Sequence, residues 1–280
     1  MDKNKIIIVT GANSGMGKAI SIELAKTNTV IMLCRNKARG EEALREVIDQ
    51  SGNTQVDLMI CDLGSQRDIR NFCTEFKAKY DHLDVLINNA GVILPRRHET
   101  SDGIELQFGV NHLGHFLLTN LLLEYLVNSK PARIINVASG AHKIGKIHED
   151  VNLKKNYKVW RAYAQSKLAN ILFTYELAEG LNGTGVTVNC LHPGAVATSM
   201  GINRDTGFGT LITRALKPFF RSSEKGAETT IFLATSPDMI ETTGKYFCNK
   251  KPISSSKRSY DKNLAKKLWT LSEEMTNYIN

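Results

Sequence analysis

The sequence predicts an α/β protein: a single-domain doubly wound parallel sheet flanked by helices on both faces. Three observations predict it. Short β-branched runs alternate with stretches of helical spacing from Lys5 to Gly91, a glycine-rich turn joins the first run to the first helix, and no linker, low-complexity tract or internal repeat divides the chain. Strand-helix alternation of this kind implies parallel pairing with right-handed crossovers. At 280 residues and 42% hydrophobic content the chain suits one large domain over residues 1–280 with a filled core.

The elements follow in order. Lys5 to Thr10 reads as a strand that stops at Gly11, and Lys18 to Lys26 has helical spacing of Ile20, Ile22, Leu24 and Ala25. Between them lies Thr10-Gly11-Ala12-Asn13-Ser14-Gly15-Met16-Gly17. A strand that delivers glycines to a helix start lets backbone N–H groups approach a pyrophosphate, with the helix dipole adding positive potential. Gly11, Asn13, Ser14, Gly15, Met16 and Gly17 are therefore candidates for a dinucleotide site, and tight turning alone is the competing explanation. The next strand, Thr29 to Cys34, ends Cys34-Arg35-Asn36-Lys37 with no acid until Glu41. In such units an acid at this place takes the ribose hydroxyls and an arginine accommodates a 2′-phosphate. NADP(H) is thus expected over NAD(H), with Arg35 as the main phosphate partner, Asn36 beside it, and Asn13, Ser14 and Lys37 as helpers; a solvated loop arginine is the alternative.

A helix from Lys37 to Ser51 and a strand from Gln55 to Cys61 come next, ending in Asp62-Leu63. Asp62 reads either as a contact to the adenine edge or as a cap for the helix Gln66 to Tyr80. The strand Leu83 to Ile87 ends in Asn88-Asn89-Ala90-Gly91, small residues that fit a place where a cofactor passes close to backbone at the carboxyl edge of the sheet.

The second half carries reactive side chains. Phe108 to Leu123 reads as one long helix with Asn111 in its first turns, and its His112 and His115 lack an acidic or cysteine partner at metal spacing, so no metal site is expected. Arg133 to Ala138 is a strand that delivers Ser139. A helix from near Trp160 carries Tyr163 and Lys167 and continues through the apolar run Leu168 to Leu181. Four residues apart, Tyr163 and Lys167 stand on one face, and the ammonium is expected to lower the tyrosine pKa; an ordinary surface pair is the bland alternative. The strand Val186 to Leu191 leads to His192-Pro193-Gly194. A serine at a strand end and a tyrosine on the neighbouring helix can converge on one substrate oxygen.

Composition narrows the function classes. The five cysteines are scattered without CxxC pairing, which suggests neither a disulfide framework nor a zinc site. The formal net charge of +8 suits nucleic acid, an anionic membrane surface or an anionic cofactor, but the longest basic runs are pairs such as Lys250-Lys251 and Lys266-Lys267. Nucleic acid is therefore not expected as a partner. The apolar runs Ile6 to Val9, Val30 to Cys34 and Phe116 to Leu123 fall short of the roughly 18 residues of a spanning helix. With strand-like sequence beginning by Lys5, no targeting segment is expected, and a cytoplasmic protein is.

In order, the chain presents Thr10-Gly-x3-Gly-x-Gly17, Asn88-Asn-Ala-Gly91, Asn111, Ser139, Tyr163-x3-Lys167 and Pro193-Gly194. In this it resembles the classical short-chain dehydrogenase/reductase family, from about Lys5 to Phe247. The stretches Cys34-Arg35-Asn36, Phe108 to Thr119, Asn136 to His142 and Ser166 to Phe173 are similar to that family's retinol dehydrogenase branch, which commonly has a second serine where this chain has Ala138.

The resemblance implies a Rossmann fold and a catalytic set of Asn111, Ser139, Tyr163 and Lys167. Tyr163 would give a proton to a carbonyl oxygen or take it from an alcohol, and Lys167 would tune that tyrosine and hold the nicotinamide ribose. Ser139 would hydrogen-bond the reacting oxygen, and Asn111 would hold a water linking Lys167 to solvent. Leu63, Asn89, Ala90, Gly91, Pro193, Gly194 and Val196 join the implied cofactor contacts, and Thr198 is expected at the nicotinamide amide.

A substrate lid is implied over 194–223, where Met200, Ile202, Phe208, Leu211, Ile212, Leu216, Phe219 and Phe220 read as an apolar substrate wall or as a lid that packs closed. The implied substrate is a lipophilic aldehyde or ketone, or the corresponding alcohol. A cofactor-sensing binding protein with the same fold is the alternative. A homodimer or homotetramer through the helices at Phe108 to Leu123 and Tyr163 to Leu181 is expected by analogy.

Glu224 to Ala234 reads as a last core helix and Lys245 to Cys248 as a short strand. In the tail, 259–280, Tyr260, Leu264, Leu268, Leu271, Met275 and Tyr278 share a helical face. Packing on the body or on a second subunit is favoured there over contact with a membrane surface.

Overall fold

The computed structural model describes residues 4–194 and 222–278. Eight strands form one sheet: β1 (Ile6–Thr10), β2 (Thr29–Cys34), β3 (Val56–Ile60), β4 (Val85–Asn88), β5 (Ala132–Val137), β6 (Val186–Leu191), β7 (Tyr246–Cys248) and β8 (Lys251–Ile253). Their order is β3-β2-β1-β4-β5-β6-β7-β8, parallel throughout except for the antiparallel pair β7 and β8. The chain winds outward from β1 to β3, then crosses back to β4. The crevice at the carboxyl ends of β1 and β4 is the topological switch point where doubly wound sheets bind ligands.

Because both faces are covered, the central strands are apolar at successive positions instead of alternating apolar with polar. One set of their side chains, including Ile7, Val9, Val30, Met32 and Ile87, packs under α1 (Gly15–Ala25), α2 (Lys37–Ser51) and α8 (Ser223–Thr235). The opposite set, including Ile8, Leu33, Leu86, Ile134 and Val188, packs under α3 (Gln66–Lys79), α5 (Gly114–Leu121) and α7 (Val159–Gly180). The period-two alternation of strand side chains thus feeds two separate cores.

The long helix expected from Phe108 to Leu123 is divided. A short α4 (Leu106–Phe108) opens it, a π-helical turn follows at Gly109–Leu113, and α5 then gives way at Leu122 to α6 (Leu123–Asn128). Buried Glu105 accepts hydrogen bonds from the N–H groups of Gln107 and Phe108 and starts the run. At Gly114 a Cβ would stand 2.4 Å from the carbonyl oxygen of Leu63, so only glycine lets this helix approach the end of β3. A π-turn shifts the hydrogen-bond ladder by one residue and is frequent at functional sites.

The tail forms α9 (Lys262–Thr276), capped by Asp261, whose carboxylate accepts from Leu264 N at 3.0 Å. Ala265 and Leu268 are buried beside Leu168 and Leu172 of α7 and Phe108 and Leu113 of the divided helix. Trp269 sits edge-on to Phe116, centroids 5.0 Å apart, and 5.8 Å from Phe173. Polar bonds pin the end of the helix: His112 Nε2 to Ser272 Oγ at 3.0 Å, and Arg70 to the Thr276 carbonyl at 2.8 Å. The apolar face of the tail therefore packs on the body, against α5 and α7. No described helix is long and apolar enough to cross a membrane.

Candidate active site

A cleft of about 420 Å³ opens at the switch point. Its first end is made by the turn between β1 and α1. Gly11 and Gly15 have φ of +66° and +53°, a region that L side chains rarely adopt. A Cβ on Gly17 would stand 2.2 Å from the Gly11 carbonyl oxygen. Ser14 occupies the N-cap of α1 without a side-chain cap bond, and no acid lies in the first turn. The N–H groups of this helix start therefore lie at the cleft with neither a side-chain cap from Ser14 nor an acid of the first turn to neutralise them, as an anion site requires.

Thr10 ties this turn to β4. Its Oγ1 accepts from Asn89 N and Ala90 N, each at 2.9 Å, and lies 3.0 Å from His115 Nε2, whose Nδ1 is 3.1 Å from the Asn111 carbonyl. That carbonyl only accepts, so Nδ1 carries the proton and the Thr10 hydroxyl donates to Nε2. Burial, the largest cause, pulls His115 down to about 4 and His112 to about 3, so both rings are neutral at physiological pH. Their work is internal hydrogen bonding.

Gly11, Asn13, Ser14, Gly15, Met16, Gly17, Arg35, Asn36, Asp62, Leu63, Asn89, Ala90, Gly91, Tyr163, Lys167, Pro193 and Gly194 all line the cleft, as does Ser139. Val196, Thr198 and the lid residues from 195 to 221 lie outside the described residues. Lys37 does not line the cleft: its exposed side chain meets Glu41 at 3.9 Å, and Arg39 joins Arg35 on the cleft wall. Asn36 caps α2 by accepting from Arg39 N at 3.0 Å, which brings Arg39 back beside Arg35. The four-residue spacing of the two arginines across a helix start was the available signal.

Asp62 does not cap α3. Its carboxylate accepts from Gly64 N at 2.8 Å, and Ser65 caps the helix instead. Cys34 beside the cleft is an unreactive thiol, pushed up to about 11 by burial.

The second end gathers Ser139, Tyr163 and Lys167. Ser139 leaves β5 with extended backbone, and its Oγ accepts from Ala141 N at 3.2 Å. The Tyr163 side chain hydrogen-bonds to Ser139. Lys167 is fully buried, donates from Nζ to the Val137 carbonyl at 3.0 Å, and lies 5.7 Å from the centre of the Tyr163 ring. The expected lowering of the tyrosine is not what this geometry produces. Burial raises the Tyr163 pKa, with the Ser139 bond pulling against it, and burial drops Lys167 from its ordinary 10.5 to about 8. Burial thus disfavours the charged form of both groups and moves them apart, the phenol upward and the ammonium downward.

Asn111 is buried in the π-turn and does not line the cleft. Its side-chain oxygen accepts from Val92 N at 2.7 Å, and its amide donates to Val92 O and to Ser166 Oγ, both at 3.0 Å. The side chain thus braces the strip after β4 against α7, and the backbone carbonyl accepts from His115 Nδ1. Arg39 apart, the cleft residues not foreseen are mostly apolar: Ile93, Leu94 and Val110 among them.

The short chain dehydrogenase family profile matches residues 5–207. The chain belongs to that family. It is 45% identical to mouse (Mus musculus) retinol dehydrogenase 14, covering 98% of this chain and 86% of that one, and 44% identical to mouse retinol dehydrogenase 12, covering 97% and 86%. Among solved structures, an uncharacterized protein from Mycobacterium paratuberculosis superposes with a TM-score of 0.78 at 34% identity, covering 98% of this chain and 94% of that one. Within the family the chain falls in the retinol dehydrogenase-like branch, and it is an oxidoreductase of alcohols or carbonyls.

Proposed function

We propose that the protein transfers hydride between NADP(H) and a lipophilic aldehyde or ketone, or the corresponding alcohol. The observation that carries this reading is the cleft itself: two arginines at one end and Ser139, Tyr163 and Lys167 at the other, spanned by glycines that admit a dinucleotide. Arg35 and Arg39 together offer the charge-assisted bonds that a 2′-phosphate takes, and no acid ends β2 to claim the ribose. The start of α1 suits the pyrophosphate. When bound, the nicotinamide supplies the hydride.

The chain's own residues handle the proton. In reduction, the Tyr163 hydroxyl gives its proton to the carbonyl oxygen as negative charge develops there, and in oxidation it takes the proton back. The Ser139 hydroxyl donates to the same oxygen. Lys167, with its affinity for the proton already weakened by burial, is the chain's own source of a proton to return to Tyr163, and Asn111 would hold a water that connects Lys167 to solvent. Ile93 and Leu94 give the substrate mouth an apolar lining that suits a lipophilic chain.

Self-association as a homodimer or homotetramer remains the proposed assembly, with α9 packed on α5 and α7 beside the faces it would use. Light scattering should return a dimer or tetramer mass, and the mass of one chain would refute this. A reducing, cytoplasmic setting suits five unpaired cysteines, four of them buried. The test of function is a panel of aliphatic, aromatic and isoprenoid aldehydes and ketones, followed by NADPH and NADH oxidation. Turnover with NADPH favoured is expected; tight NADPH binding with no turnover across the panel would replace the enzyme reading with that of a cofactor-sensing protein.

A further inference from the structure

Behind Ser139 lies an arrangement that the proton-handling residues do not use. His142 is fully buried, and its Nδ1 is 2.7 Å from the Ser139 carbonyl oxygen, which also accepts from His142 N at 3.1 Å. On the other side of the ring, Ser256 N donates to Nε2 at 3.1 Å. A carbonyl can only accept and a backbone N–H can only donate, so the proton sits on Nδ1 and Nε2 is bare. Two backbone partners of opposite kind leave the ring one neutral tautomer and one orientation.

Ser256 follows β8, on the far side of the sheet's last hairpin. That segment is anchored beside the serine turn: Arg258 donates to the Gly145 carbonyl, and Tyr175 Oη meets Ser255 Oγ at 2.8 Å. Ser256 itself has φ −69° and ψ 151°, and its hydroxyl is buried without a hydrogen-bond partner. Its backbone N–H is the group that meets the ring, while its carbonyl accepts from Ser259 N at 3.0 Å and from Ser259 Oγ at 2.6 Å. Tyr246 stands edge-on to the His142 ring at 5.0 Å and closes the layer.

We infer that His142 and the backbone N–H of Ser256 are positioning groups for catalysis, through which the C-terminal segment fixes the peptide that presents the Ser139 hydroxyl. This rests on the reading of Ser139 as the residue that meets the substrate oxygen.

Proline at 256 removes the N–H at a φ already suited to its ring, whereas Ser256→Ala keeps the N–H and removes only the unpartnered hydroxyl. His142→Asn offers an amide N–H near the place of Nδ1, and His142→Ala offers nothing. With nonanal and NADPH as probes, S256P and H142A should lower kcat per NADPH-binding site by about ten- to a hundredfold, the cost of a displaced reacting group. The Kd for NADPH should not change. S256A should match the unmodified protein and H142N should regain most of the loss. If S256P and H142A bind NADPH and keep full kcat while Ser139→Ala is inactive, the inference falls and the site stands. If Ser139→Ala keeps full kcat, the site reading itself falls. A readout that needs no turnover is the nitrogen-15 spectrum of the His142 ring, in which a protonated Nε2 in the unmodified protein would also overturn the inference.

Discussion

The two ends of the cleft are built from different materials. At the dinucleotide end the working groups are backbone: the N–H groups at the start of α1, exposed by Gly11, Gly15 and Gly17, with two arginines added from α2 and the loop before it. At the reacting end the working groups are side chains, and each is held by a partner from another part of the chain. Ser139 is held by the turn after β5, Lys167 by the Val137 carbonyl, and Asn111 by Val92 and Ser166. The difference teaches that binding here is a property of chain path, and reaction a property of cross-chain bracing. Substitutions should therefore separate the two.

The largest separation is expected for Tyr163→Phe. Turnover should fall by about a thousandfold, within the range for a lost general acid, with NADPH affinity retained. Equal turnover in the variant would remove Tyr163 from the mechanism.

Next is Lys167→Met, read by chemical denaturation of the cofactor-free protein. The folded pKa of about 8 lies below the ordinary 10.5, so between those values the unfolded chain holds the extra proton and rising pH favours folding. The cost of burying this charge is thus full below pH 8 and gone above 10.5. Methionine should add stability at pH 7, by at most about 3 kcal/mol and less the lost bond to Val137, and the gain should shrink steadily toward pH 10.5. A gain that does not vary with pH would refute the buried-charge account. Catalysis in this variant should be lost.

At the other end of the cleft, Arg35→Ala should weaken NADPH by about ten- to a hundredfold, as expected for a charge-assisted bond, while NADH changes little. Arg39→Ala should do the same to a smaller degree. The smallest effect belongs to Lys37→Ala, whose solvated side chain meets Glu41 and, among the described residues, does not line the cleft; NADPH affinity should be unmoved, and a loss there equal to that of Arg35→Ala would show that the cleft assignment of the cations is wrong.

The same contrast explains which features could be read from sequence. Strand-helix alternation is local, so α2 lies at Lys37 to Ser51 and β2 at Thr29 to Cys34, as expected from their residues. The glycine turn and the order of Ser139, Tyr163 and Lys167 were legible because each element end delivers its own residue to the same edge of the sheet. The π-turn at Gly109–Leu113 was not, because the apolar spacing of Phe108 to Leu123 carries no mark of a one-residue shift in the ladder. Arg39 reaches the cleft because it stands one helical turn beyond Arg35, a relation that holds only once α2 is known to start at Lys37. The bond between His142 and Ser256 joins residues 114 positions apart, and nothing local to either announces it. Burial, likewise, is not written in a Tyr-x-x-x-Lys spacing, so the upward shift of Tyr163 needed the folded chain.

The short strand β8 carries one last consequence. It lies at the open margin of the sheet, its three residues Lys251, Pro252 and Ile253 are all exposed, and its middle residue has no N–H to offer. A margin that is brief, charged and interrupted by proline is a poor template for a strand from another molecule. The hairpin that leads into the segment bonded to His142 therefore also leaves this margin of the sheet unreceptive to edge-to-edge pairing.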